Sequence, residues 1–204
     1  MAWIYEVGAQ KNFTDYGSEQ TNNAFEFYYY FTNKGFTLES ICGMLGNITW
    51  ESRLNPGNKQ TVATTSGWGL IMWTPSTVLT NWAYNLSLNW YDGAAQCERI
   101  NAEGLGQVES MYWIPTTQYP YTWQEFSALT DIELATKAYL YERERAGESH
   151  LSERLQYAFD WYGIISGQPT PPTPPTPPTP YRRDKRMPVY MMLLRRERQY
   201  ERRM

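Results

Sequence analysis

The chain has 204 residues, 42% of them apolar and 19% charged, so it holds enough apolar side chain for a packed core and is not a fully disordered protein. No uninterrupted apolar run approaches the ~18–20 residues of a membrane-spanning helix, and residues 1–16 show no basic segment followed by an apolar one, so no Sec-type leader is read. The net charge of −3 is divided: residues 1–180 carry 9 basic against 18 acidic side chains, and residues 181–204 carry 9 against 3, which argues against a nucleic-acid-binding body.

The first periodic segment runs from Asn23 to Lys34, with Ala24, Phe27, Tyr28 and Phe31 on one helical face and Gly35 as the stop. Thr37 is a good N-cap for a second helix. Leu38, Ile41, Leu45 and Ile48 then recur at helical spacing, and Pro56 ends the helix by Asn55. Residues 55–69 are rich in Asn, Gly, Thr and Ser and read as a loop or small irregular hairpin. Thr74-Pro75 predicts an N-cap with proline at the first helical position, opening a helix through Ala83. Asp92 starts another, past Cys97 and Ile100 to Gly104. Thr122 with Glu125 and Thr130 with Glu133 are two capping-box patterns, starting helices near 123 and 131. A last helix is expected from Leu151 to Tyr162, stopping at Gly163.

Pro169 to Pro180 reads PTPPTPPTPPTP. Such a triplet repeat favours polyproline II, and at ~3.1 Å per residue it makes a semi-rigid spacer of about 37 Å. The expected organisation is therefore a domain over 1–167, a linker over 168–180 and a basic tail over 181–204. In the tail, Arg182–Arg186 and Arg195–Arg198 flank an apolar stretch. That pattern suits an amphipathic helix binding anionic wall polymer, a membrane surface or an acidic site on another protein. A solvated end is the plainer reading.

There is one histidine, His150, and there are two cysteines, Cys42 and Cys97. One histidine cannot supply the two or more imidazole ligands usual in zinc hydrolases, so no metal and no cofactor are expected. The cysteines read either as a disulfide or as two small buried apolar thiols, the second being favoured. A thiol peptidase built on Cys42 or Cys97 with His150 is arithmetically open, although neither cysteine has a recognisable nucleophile context.

Glu51 stands at the last turn of the second helix. It lies on the edge of the apolar stripe, near the negative end of the helix dipole, beside Trp50 and Leu54. These surroundings favour a neutral carboxyl, the form a glycosidase needs in its general acid. The competing reading is a structural ion pair with Arg53.

Phe31–Leu38, Ile41–Ile48 and Glu51–Gly57 resemble the phage tail lysozyme family. Gly67–Pro75, reading GWGLIMWTP, is similar to its Gly-Leu-x-Gln-Trp-Thr-Pro segment. Asp92-Gly93 with Gln96–Ile100 is similar to its Asp-Gly-x-x-Gln-x-Glu-Arg-Ile helix. Tyr119-Pro120, Glu125-Phe126, Tyr141–Arg143, Tyr157-Ala158 and Trp161-Tyr162 fit the remainder, in unbroken order over 23–163.

The resemblance implies a mainly α, lysozyme-like α+β fold: a helical bundle, a small β or irregular lobe, and a substrate cleft between them. It implies cleavage of the MurNAc–GlcNAc strand of bacterial peptidoglycan, with Glu51 catalytic. It also implies a protein of the virion tail, or of the host cytoplasm before release to the wall, with other tail proteins as partners. Where the family usually has Gln, this chain has Met72, which motivates the alternative of a wall-binding module that has lost catalysis.

A second carboxylate is sought at Asp92 or Glu142. Glu142 is preferred for its helix, against the plainer reading of a salt bridge. If neither is close, a substrate group can serve as nucleophile, and hydrolysis and transglycosylation both stay open. Trp68 and Trp73 bracket the loop after Glu51 and suit sugar stacking, with core packing as the equal alternative. Tyr141 suits a hydrogen bond to sugar or to Glu51. Ser52 and Thr74 suit sugar contacts, with local capping as the alternative. His150 is assigned no role. Deleting residues 169–204 is expected to leave the melting temperature of the body unchanged and to weaken its sedimentation with whole cell walls.

Overall fold

The computed structural model of the chain describes residues 2–61, 63, 64, 66–108, 113–145 and 149–167. The chain divides into Met1–Pro169 and Thr170–Met204, and every described residue lies in the first unit. The expected linker and basic tail fall outside the described residues.

Seven α-helices and two short strands are present among the described residues. The strands β1 (Gly8–Ala9) and β2 (Asn58–Lys59) pair in parallel, Gly8 opposite Asn58 and Ala9 opposite Lys59. Single bridges from Lys59 to Trp68 and from Trp68 to Trp73 extend this into a small lobe. The mainly α architecture with a minor β lobe is the one expected.

Helix α1 (Ser18–Thr32) begins five residues before the expected Asn23. The added turn carries Gln20, which is fully buried and reaches the backbone oxygen of Arg53 at 3.3 Å, so it is held by tertiary contacts and not by apolar period. Helix α2 (Leu38–Ser52) starts as predicted, with Thr37 accepting from Ser40 N at 3.1 Å. Its residues from Ser40 to Thr49 are all buried, which makes it the central helix. It packs against α1, α5 (Trp123–Ser127), α6 (Ile132–Tyr139) and α7 (Leu151–Ser166).

Two glycines permit that enclosure. A Cβ on Gly43 would lie 2.8 Å from backbone of Ala135 and Thr136 in α6, and one on Gly46 would lie 2.4 Å from the Arg154 oxygen in α7. The α2 backbone is thus in direct contact with two neighbouring helices. Asn47 uses the closeness, donating to Gly43 O at 2.8 Å and Thr136 O at 3.1 Å.

The next helix, α3 (Thr77–Asn85), starts at Ser76 and not at Thr74. Thr74 Oγ1 bonds instead to Met72 O at 3.0 Å. Asp92 caps α4 (Gly93–Gly104) as expected, accepting from Ala94 N at 2.9 Å. Gln96, buried in α4, accepts from Leu70 N and donates to the oxygens of Pro56 and Trp90, which ties the lobe to the bundle. The capping box at Thr122 and Glu125 forms in full. The one expected at Thr130 does not, because Asp131 takes the cap and accepts from Leu134 N. After α6 the chain makes a single π-helical turn, Leu140–Glu144, which the sequence did not signal. Helix α7 continues through Gly163, where no atom crowds the backbone, to bury Ile165.

Residues 2–17, ahead of α1, carry no periodic apolar pattern, yet they are stitched down by buried amides. Asn23 accepts from Ile4 N and donates to Ile4 O and Leu54 O. Asn55 accepts from Glu6 N and donates to Glu6 O and Lys11 O. This N-terminal strap closes over the end of α2 and delivers Gln10 and Asn12 to the region where Glu51 emerges. Because the α2–α7 contact has no space for a methyl group, Gly46→Ala is expected to destabilise the protein by about 2–3 kcal/mol, read as a lower denaturant midpoint with an unchanged slope.

Candidate active site

Helix α2 ends in two successive left-handed residues, Arg53 (φ 54°) and Leu54 (φ 59°). Two non-glycine residues in that region turn the chain sharply away and leave Glu51 on the last helical turn, facing outward. A cavity of about 580 Å³ opens there, within the usual size range of ligand sites. The helical body supplies Glu51 and Glu144. The lobe supplies Asn58, Lys59, Gln60, Ile71, Met72 and Thr74, and the strap supplies Gln10 and Asn12.

Glu51 is 22% exposed at its side chain, and its Oε1 lies 2.5 Å from Nη2 of Arg154. Arg154 is itself buried on α7. Its remaining donors go to Ser149 O at 3.0 Å, Asn47 O at 3.4 Å and Asn47 Oδ1 at 3.1 Å. The apolar enclosure expected for Glu51 is therefore replaced by a cation. That cation is Arg154, not the adjacent Arg53, which instead pairs with Asp15 at 3.4 Å.

Glu144 lies at the end of the π-helical turn and lines the same cavity. Its Oε1 is sealed from solvent and has no hydrogen-bond partner among the described residues. Burial first, then the charge of Glu51, push its carboxyl well above the usual carboxylate range, while the guanidiniums of Arg143 and Arg154 pull it back.

Glu142, the preferred second carboxylate, does not line the cavity. It is fully buried, and Oε1 accepts from Thr116 N at 3.4 Å and Tyr121 N at 3.3 Å. It anchors the 113–121 segment on the helical body. Burial pushes it up to about 7 against the opposing pull of those two backbone bonds. Asp92, the other candidate, is spent on capping α4 and lies outside the cavity.

Of the residues expected to meet sugar, Thr74 lines the cavity and is exposed. Trp73 does not: it is fully buried, and its indole N–H donates to Glu103 at 2.8 Å. Trp68 is half-buried beside the cavity, not in its lining, with the Lys59 ammonium 3.8 Å from its ring centre and Trp90 4.9 Å away. Ser52 is fully buried, with its hydroxyl on Ile48 O at 3.2 Å. Tyr141 is stacked on Tyr119 at 5.3 Å, also outside the lining. Met72, at φ 49°, does reach the cavity.

Sequence reading missed Glu144 and the amides of Gln10, Asn12, Asn58 and Gln60. The polar 55–69 stretch was the only signal for any of them. The thiol reading fails on burial: Cys42 and Cys97 are free, sit in the core, and are pushed far above their usual values by loss of solvation. His150 stacks on Trp50 at 4.5 Å. Among the described residues no cluster of potential metal ligands exists.

The profile of the phage tail lysozyme family matches residues 22–165. "Morphogenesis protein 1" of Bacillus phage B103 is 35% identical over 156 residues, which covers 74% of this chain and 41% of that protein. The chain thus spans about two fifths of the relative's length. No helix among the described residues is long and apolar enough to cross a membrane.

The buried carboxyls also set a pH dependence of stability. Folded Glu142 keeps a proton up to about 7 that the unfolded chain releases near its usual 4.5. Its contribution is complete below 4.5 and is lost as pH rises towards 7. Glu144 adds a slope of the same sign. Melting temperature is expected to be higher at pH 5 than at pH 7.5, with a shallower slope in Glu142→Gln.

Proposed function

The chain belongs to the phage tail lysozyme family, and from that premise we propose that it cleaves the glycan strand of bacterial peptidoglycan between MurNAc and GlcNAc, with Glu51 as the proton donor. The observation that carries the reading is the position of Glu51. It is the helix-terminal carboxyl of the family motif, and it opens into a ligand-sized cavity between the helical body and the lobe.

The amides of Gln10, Asn12 and Gln60 suit a substrate of alternating N-acetyl and hydroxyl groups, because an amide both donates and accepts, while Asn58 is turned inward and holds Asn12 Oδ1 at 2.8 Å and Ser52 O at 3.2 Å. Thr74 adds a hydroxyl, and Ile71 and Met72 give an apolar patch for a ring face. Glu51 protonates the bridging oxygen, the C1–O bond breaks towards it, and the positive charge at C1 is quenched by water or by the substrate's own 6-hydroxyl. The first gives a reducing end, the second a 1,6-anhydro end.

The 35% identity to a phage morphogenesis protein supports a particle-borne role, with neighbouring tail proteins as further partners, over one confined to lysis. The basic tail offers a second attachment, to anionic wall polymer or membrane surface. A lysozyme-like wall-binding module without catalysis is the second reading, favoured by the thioether of Met72 in the cavity wall and by the cation on Glu51.

Zymography on Gram-positive walls separates the two. A clearing band is expected, with Glu51→Gln losing activity by on the order of 10²–10⁴-fold while still folded, since Gln keeps an oxygen for Arg154. Well-folded wild-type protein giving no band sinks the catalytic reading. Mass spectrometry of released muropeptides then assigns the end group.

A further inference from the structure

The Arg154 contact sets a problem for the proton donor. A carboxyl that must give up a proton is already paired, at 2.5 Å, with a buried guanidinium. The site needs a proton held close by on something else.

Glu144 is the second carboxyl in the cavity lining. Four elements place ionisable groups around Glu144: Glu51 on α2, Glu103 on α4, Arg143 on its own π-helical turn and Arg154 on α7. Lys59, on β2, lines the same cavity. Arg143 is bonded to Glu103, which also pairs with Arg99 at 2.9 Å. Arg154 is bonded to Glu51, and the Lys59 ammonium lies over the Trp68 ring. Each of these three cations has another contact, while Oε1 of Glu144 is enclosed without a hydrogen-bond partner among the described residues. An ionised carboxylate in that position costs far more than a protonated one.

We propose that Glu51 and Glu144 work as a one-proton pair, in which Glu144 holds the proton in the resting site and passes it to Glu51 as the glycosidic oxygen draws on it. This rests on the glycosidase reading above and adds a second catalytic residue to it. The balance closes. At rest Glu144 is a carboxylic acid and Glu51 a carboxylate. The proton moves to Glu51 and on to the bridging oxygen, which leaves with the electron pair of the C1–O bond. The attacking water or 6-hydroxyl forms its bond to C1 and gives its proton to the Glu144 carboxylate. Both side chains end as they began, and no other base is required. The direction given above for the Glu144 carboxyl agrees with this resting state.

The test uses the full chain with purified peptidoglycan, and reads end groups released against pH. Wild type is expected to lose rate as pH rises and Glu144 ionises. Glu144→Gln is expected to fold, to cleave on the order of 100-fold more slowly, and to lose that alkaline fall. Glu144→Gln with a rate within about two-fold of wild type and an unchanged pH profile overturns the pair, while leaving the glycosidase reading intact if Glu51→Gln is dead. No cleavage by wild type removes both. Carbon-13 titration of the wild-type carboxyls needs no variant. It is expected to show Glu144 protonated at pH 7, with its midpoint moving down when Glu51 is replaced by Gln. A Glu144 carboxyl ionised at pH 7 in wild type overturns the proposal.

Discussion

A buried guanidinium joins the core of this protein to its cavity. Arg154 is almost wholly enclosed on α7, and leaving any of its donors unmet would cost several kcal/mol. Helix α2 meets the demand from one face. Gly46 lets the α7 backbone approach, Asn47 supplies a carbonyl and a side-chain oxygen, and Glu51, four residues on, supplies the carboxylate. Residues four apart share a helical face, so the sequence spacing of Asn47 and Glu51 is what allows a single arginine to hold both. The direction of the Glu51 side chain follows from satisfying Arg154.

The second charged cluster is organised by the π-helical turn. Three successive residues there point to three destinations: Glu142 to the backbone of the 113–121 segment, Arg143 to Glu103, and Glu144 to the cavity. Glu103 is fully buried and takes Arg99, Arg143 and the indole of Trp73 together. The lobe, α4 and the π-helical turn are thereby fastened at one carboxylate. Single π-helical turns recur at functional sites because they redirect side chains that a continuous α-helix would place elsewhere, and here the redirected side chain is Glu144.

Much of the helical body was legible because its signals are local. Thr37, Asp92 and Thr122 cap where their side-chain chemistry says they should. Glu51 was legible too, from its place at a helix end within an ordered set of family motifs. What was hidden depends on contacts distant in sequence. The strap is held by Asn23 and Asn55 acting across 19 and 49 residues, with no periodicity of its own. Arg154 lies 103 residues from Glu51, so Arg53 looked the natural partner. Glu142 was preferred because its helix was expected near the cleft, but the unsignalled π-helical turn sends it into the body and its neighbour Glu144 into the cavity. Trp73 reads equally as a sugar platform or a core residue until Glu103 is seen to claim its N–H.

The cavity wall then carries an electrostatic argument of its own. The body is strongly acidic, so its field opposes the approach of an anionic polymer beyond the reach of contact forces. Most of the described cavity lining is nonetheless neutral. The amides of Gln10, Asn12 and Gln60, from two separated segments, and the Thr74 hydroxyl carry donors and acceptors whose strength does not vary with pH or salt. The ionisable groups of the lining are, among the described residues, Glu51, Glu144 and Lys59. Of these, Lys59 is drawn aside over Trp68, which leaves the two carboxyls in an otherwise neutral lining. Under the proposed function, that division makes binding and proton transfer separable: changing Gln10, Asn12 or Gln60 should alter grip on the strand, while changing a carboxyl should alter what happens to it.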